Sequence, residues 1–257
     1  MKIQSARRSL SIHPAEVVAS TSSRSANVSG TNRKRTPWIT TLFVLSLALP
    51  LFAAPYLRVG QVDGVALLPS PPAIDSAEQL ADLASARAVF KARTTSEETR
   101  AFKDATLSIF NFAPAIAPEF QPGKFPKTEA LFERVKTNVS DVINLPKDHW
   151  HRKRPYELDG ELSLGKPEKS FSYPSGHSTR GAMQSLILAE LFPEKRDAIL
   201  QIGRNIGWDR VLIGKHFPTD VYAGRVLGQA IVRELMASAE FRRDLAEAKA
   251  EVLGSIK

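Results

Sequence analysis

The sequence predicts an all-α fold, a single-domain helical bundle over residues 58–257. Three observations predict it. Six segments read as helices, the clearest with apolar residues every three or four positions. No stretch alternates apolar and polar residues over strand length, and no internal repeat is present. Helix-start chemistry stands where such segments begin: Ser76 precedes Gln79 by three residues, and Pro218 suits a first helical turn.

Residues 1–57 stand apart from that bundle. They form a basic leader followed by the uncharged run "TPWITTLFVLSLALPLFAAPYL", Thr36 to Leu57. Basic, then apolar, then small residues is the order of a secretory signal. The run is also long enough to serve as an uncleaved anchor, although Pro50 and the pair Thr40 and Thr41 weaken that reading.

After the leader, "LLPSPPAID" (Leu67 to Asp75) is extended. The first helix follows from Ser76, with Leu80, Leu83, Ala86 and Phe90 at helical spacing. The second runs from near Ser96 to around Pro114. "APEFQPGKFPKT" is a loop. The third helix spans Thr128 to Leu145, with Leu131, Val135, Val139 and Ile143 every four residues. "PKDHWHRKRPYELDGELSLGKPEKSFSYP" is a long irregular loop, and loops of that length tend to be functional. "STRGAMQSLILAELFP", "KRDAILQIGRNIGWDRVLIG" and "PTDVYAGRVLGQAIVRELMASAEFRRDLAEAKA" complete the six helices.

Charge and composition exclude several functions. Of the net +8, +6 falls in residues 1–35, so the body is nearly neutral and carries no basic groove for nucleic acid. The chain has no cysteine, which excludes disulfides, thiol nucleophiles and cysteine metal sites. His149 and His151 are two apart but lack a supporting cluster, so they are read as surface or substrate-mouth residues rather than metal ligands.

Three segments carry candidate chemistry. "KDHWHRKRP" supplies Lys147 and Arg154, and "RVLIGKHFPTD" supplies Arg210, His216 and Asp220. An arginine fork matches phosphate oxygens two at a time, and lysine adds a point charge. In "PSGH", Ser175 offers a hydroxyl, Gly176 permits close backbone approach, and His177 stands at a helix start whose free N–H groups suit an oxyanion. Asp220 lies four residues after His216, where a carboxylate can hold one imidazole nitrogen and leave the other as nucleophile or base. Spacing alone also accommodates solvated cations, a helix cap and a surface His–Asp pair.

The order Lys-x6-Arg-Pro, Pro-Ser-Gly-His and Arg-x5-His-x3-Asp resembles the signature of the phosphatidic acid phosphatase type 2 and haloperoxidase superfamily. Residues 65–235 resemble, within it, the bacterial class A non-specific acid phosphatases. The resemblance implies a helical bundle of that superfamily kind and hydrolysis of phosphate monoesters without metal or cofactor. Lys147, Arg154, Ser175, Gly176 and Arg210 would hold the phosphoryl group. His216 would form a phosphohistidine, Asp220 would orient it, and His177 would protonate the leaving oxygen. A lipid-phosphate or isoprenyl-diphosphate phosphatase and a vanadate-dependent haloperoxidase are the alternatives. The implied partners are small phosphorylated molecules, with a membrane contact only through an uncleaved leader and with room for a homo-oligomer. Location would be periplasmic or secreted. The sequence departs from the family at Asp209, where Ser is usual. That acid would either steer Arg210 by a salt bridge or lower the site's positive potential.

Overall fold

A computed structural model describes residues 55–255, and the leader through residue 54 lies outside them. The described residues are all-α, with no strand among them. Ten helices follow in order: α1 (Gly64–Leu67), α2 (Ala77–Ala92), α3 (Thr95–Lys103), α4 (Ala113–Ile116), α5 (Pro126–Trp150), α6 (Pro155–Leu158), α7 (Gly176–Leu191), α8 (Arg196–Leu212), α9 (Pro218–Ala237) and α10 (Ala239–Ser255). None of the described helices is long and apolar enough to cross a membrane.

The centre is α7, packed between α8 and α9. Glycines on both neighbours make this possible. A Cβ at Gly203 would lie 2.7 Å from Gly181 O, one at Gly224 would lie 2.6 Å from Ser175 O, and one at Gly228 would lie 2.6 Å from Thr179 O. The helices therefore meet backbone to backbone, and any side chain there would force them apart. This fixes the start of α7 against the start of α9. The stripe Leu131, Val135, Val139 and Ile143 of α5 is buried in the same core, with Ile187, Leu188 and Leu227.

Several boundaries differ from the sequence reading. Tyr56 and Leu57, assigned to the leader, are buried in the core. Tyr56 stacks edge-on against Phe241, and its hydroxyl donates to Asp244 Oδ2 at 2.6 Å. The second helix stops at Lys103 instead of running to Pro114. Asp104 caps it, Asn111 donates to Asp104 Oδ1, and Ser108 starts a separate 3₁₀ turn over Ile109–Phe112. The third helix continues through Pro146 to Trp150 and ends where His151 turns left-handed, its N–H bonded to Lys147 O. The last segment breaks at Ser238, whose hydroxyl accepts from Phe241 N and starts α10. In α2 the buried face is polar: Gln79 and Asp82 point inward with Ala86, while Leu80 is exposed.

Candidate active site

The site forms where the end of α5, the loop after it, the start of α7 and the turn from α8 to α9 converge. Its innermost group is set by a helix cap. Pro218 opens α9, and Asp220 Oδ2, three residues past the cap residue, accepts Phe217 N at 2.9 Å. That oxygen also accepts Ser172 Oγ at 2.5 Å and faces His216 Nδ1 at 3.2 Å. The other oxygen accepts Arg152 Nη1 at 2.6 Å. Asp220 is fully buried, and burial alone would raise its pKa. Arg152, His216 and Ser172 outweigh burial and hold the carboxyl below its ordinary value.

His216 reads its partners through donor chemistry. Arg154 Nη1 lies 3.3 Å from Nε2, and a guanidinium can only donate. Nε2 therefore accepts and carries no hydrogen. The ring hydrogen sits on Nδ1, directed to Asp220. Burial pushes the imidazole well below its ordinary pKa against the raising effect of Asp220, so the ring is neutral.

Two buried cations, Arg154 and Lys147, act on this imidazole. Lys147 Nζ donates to Phe171 O at 2.6 Å, and Arg154 Nη2 reaches the same carbonyl at 3.3 Å. Burial, then Arg154, pushes Lys147 down to about 7. Arg154 also donates to Ser170 O and Lys215 O, each at 2.8 Å. Arg210 pairs with Glu168 through Nη2, and its buried Nε has no partner. Ser175 caps α7 by accepting Ser178 N at 3.3 Å, and its own N–H bonds Asp220 O at 3.0 Å. A Cβ at Gly176 would lie 3.8 Å from Lys147 Cε, so the bare backbone borders the lysine. His177 Nε2 donates to Ala105 O at 3.1 Å, since a carbonyl only accepts, and Nδ1 is left to titrate. Burial, then Arg210, pushes this histidine down to about 4. A neutral imidazole lone pair beside buried cations suits a tetrahedral oxyanion. Among the described residues no His, Asp and Glu cluster is grouped to hold a metal ion.

A family model described as the PAP2 superfamily matches residues 135–244, which include all eight of these sequence-predicted residues. The non-specific acid phosphatase of Providencia stuartii is 33% identical over 207 residues, covering 76% of this chain and 84% of that protein. The chain belongs to the PAP2 superfamily. The acid phosphatase of Zymomonas mobilis is 31% identical over 199 residues (74% of this chain, 75% of that protein). The non-specific acid phosphatase of Salmonella typhimurium is 28% identical over 196 residues (72% and 78%). This PAP2 protein is a phosphatase of the acid phosphatase type.

Within the PAP2 site, two placements differ from the sequence reading. Lys147 is on α5 rather than in a loop, which gives its ammonium a rigid base. Asp209 does not steer Arg210. It is fully buried on α8 and accepts Arg100 Nη2 at 2.7 Å from α3, while Arg210 pairs with Glu168. His149 and His151 lie edge-on to Trp150 and Phe171.

Sequence reasoning missed the groups that support Asp220. Arg152 Nη2 bonds Gln79 Oε1 and Asp82 Oδ2, each at 2.7 Å, and its guanidinium lies 4.1 Å from the Phe217 ring centroid. In the basic run "HRKRP" nothing distinguished Arg152. A signal was available: in an extended segment residues two apart face the same way, so Arg154 inward implies Arg152 inward and Lys153 outward. Arg152 and Arg154 are buried and Lys153 is exposed.

Proposed function

We propose that this PAP2 phosphatase hydrolyses small phosphate monoesters through a phosphohistidine on His216. The observation that carries this reading is the approach of Arg154 Nη1 to His216 Nε2, which leaves that nitrogen unprotonated and beside the cations. Lys147, Arg154, Arg210, the Ser175 hydroxyl and the Gly176 amide hold the phosphoryl oxygens, exchanging their present carbonyl and carboxylate partners for them. Nε2 attacks phosphorus, the P–O ester bond breaks, and the leaving oxygen takes a proton from His177 Nδ1. Asp220 stabilises the positive charge that His216 acquires as it is phosphorylated. Water then attacks phosphorus, gives its proton to His177, and inorganic phosphate leaves with His216 restored. The barrier falls through positioning and through charge aimed at the equatorial oxygens. A proton donor whose pKa is near 4 is charged in acid, in keeping with the names of the relatives.

The test is a rapid mix of enzyme with 4-nitrophenyl phosphate, an alkaline denaturing quench and peptide mass spectrometry. A phosphoryl group on His216 is expected. A phosphoryl group on His177 or Ser175, or none on any residue during turnover, would overturn the mechanism.

We also read the leader as an export signal that leaves the domain periplasmic or secreted. Because Tyr56 is a core residue, processing must fall before it. N-terminal sequencing of envelope protein checks this, and an intact Met1 on cytoplasmic protein counts against it.

A further inference from the structure

A cavity of about 420 Å³ opens beside His177. Its walls include Leu107, Phe110, Phe132 and Met183, with Arg180 among them. None of Lys147, Arg154, Arg210 or His216 lines it. The cavity therefore adjoins the proposed proton donor but not the phosphoryl-binding cations.

Its charged lining groups differ in one respect. Lys136 pairs with Glu133 at 3.0 Å, and Glu129 accepts Gly123 N at 2.8 Å. Arg180 has no hydrogen bond and no ion pair among the described residues. Its charge lowers the pKa of Lys147 and His177, and burial depresses its own. A half-buried guanidinium that lines a cavity without a counter-ion is matched by an anion that enters it. Its helix, α7, meets α8 and α9 backbone to backbone at their glycines, and Arg180 Nη1 lies 3.4 Å from where a Gly176 Cβ would stand.

We infer that Arg180 is a specificity residue that grips a second anionic group, a carboxylate or phosphate, on the alcohol part of the substrate. The apolar walls receive the carbon skeleton between the two anions. The favoured substrates are thus phosphate monoesters whose leaving group carries its own negative charge. This rests on the phosphatase reading above, because it takes the His177 side as the leaving-group side.

Titration calorimetry with phenylphosphonate and 3-carboxyphenylphosphonate tests it, since neither is turned over. In the wild type the carboxylated ligand should bind more tightly by about tenfold or more, the size of one charge-assisted hydrogen bond. Arg180→Gln should abolish that ratio, and Arg180→Lys should keep part of it. A ratio near one in the wild type, or an unchanged ratio in Arg180→Gln, overturns the inference. An equal loss for both ligands in Arg180→Gln also overturns it and makes Arg180 part of the phosphoryl cage. Hydrolysis of phenyl phosphate by the wild type is measured alongside. Its absence would sink the phosphatase reading, while the binding ratio would still decide the subsite.

Discussion

Arg152 Nη1 lies 2.6 Å from Asp220 Oδ1, and both side chains are shut away from solvent. The same guanidinium holds Asp82 on α2, so one cation neutralises two buried carboxylates from different parts of the chain. Arg152→Met removes it and leaves both acids unpaired. We expect a loss of about 3–5 kcal/mol in stability, the usual consequence of breaking a buried ion pair. Urea unfolding measures it. Arg152→Met with Asp82→Asn should recover part of the stability, because one stranded charge is gone. A loss under about 1 kcal/mol for the single variant would mean that the pair is not structural.

Lys147 sets the alkaline limit of anion binding. Burial and Arg154 bring its pKa to about 7, so the cage loses one positive charge as pH rises through that value. Affinity for phosphate or vanadate as inhibitor should therefore be highest below pH 7 and weaken above it. In Lys147→Arg the charge persists, and the inhibition constant should show no break near pH 7 beyond that of the inhibitor itself. A break of equal size in both proteins would detach it from Lys147.

The bundle and the eight candidate site residues were picked out of the sequence for different reasons. The α5 stripe is a periodic signal, and periodic burial survives any tertiary arrangement that uses a helix face. His216, Asp220, His177 and the cations stood out as candidates because their spacing matches the family's. Asp82, Gln79, Ser172 and Arg152 were not, because their roles arise only when α2 and the loop before α7 close on α9. The face of α2 misled for the same reason: Leu80 fits the apolar stripe, yet the inward positions are taken by Gln79 and Asp82, which pair with Arg152. The helix through Pro146 escaped because proline normally ends a helix. Here a Cβ on Gly64 would lie 2.5 Å from Pro146 Cγ, so α1 packs directly on the proline.

Asp209 and Arg100 should respond unequally to truncation. Asp209 is fully buried, whereas the Arg100 side chain is 39% exposed. Arg100→Ala strands a buried carboxylate, at about 1–2 kcal/mol because water can enter from the exposed side. Asp209→Ser frees Arg100 into solvent and should cost less. Burial raises the Asp209 pKa, with Arg100 opposing, so without Arg100 it rises further. A carboxyl raised on folding binds more protons in the folded state, so lowering the pH favours folding. The Arg100→Ala deficit should thus shrink as pH falls toward the raised pKa. Unfolding curves at pH 7 and 5 check the sign, and a deficit that grows in acid contradicts the assignment.

Glu168 is ion-paired with Arg210. A phosphoryl oxygen bound at Arg210 must displace that carboxylate and lie near its charge. Glu168→Gln removes the charge at constant shape, so phosphate and vanadate should bind more tightly, by about threefold to tenfold given the partly exposed glutamate. Inhibition constants against 4-nitrophenyl phosphate measure this. Weaker binding in Glu168→Gln would instead mean that the carboxylate holds Arg210 in place for the anion.

The two histidines should separate by leaving group. Phosphoryl transfer to His216 needs Nε2 for every ester, so His216→Ala should be inactive on all of them. His177 supplies a proton that an alkoxide needs and a nitrophenolate does not. In His177→Ala, kcat/KM should fall by about 10²–10⁴ for an alkyl phosphate and by at least about tenfold less for 4-nitrophenyl phosphate. The ratio kcat/KM is the right measure because it reports the enzyme phosphorylation step and is blind to slow hydrolysis of the phosphohistidine. The pH profile provides an independent sign. Burial and Arg210 place the His177 pKa of the free enzyme at about 4, so its protonated fraction declines as pH rises past that value. With the alkyl ester, wild-type kcat/KM should carry this descending limb, and His177→Ala should lack it. Equal losses on both esters, or a limb that persists without His177, would assign the proton donor to another group.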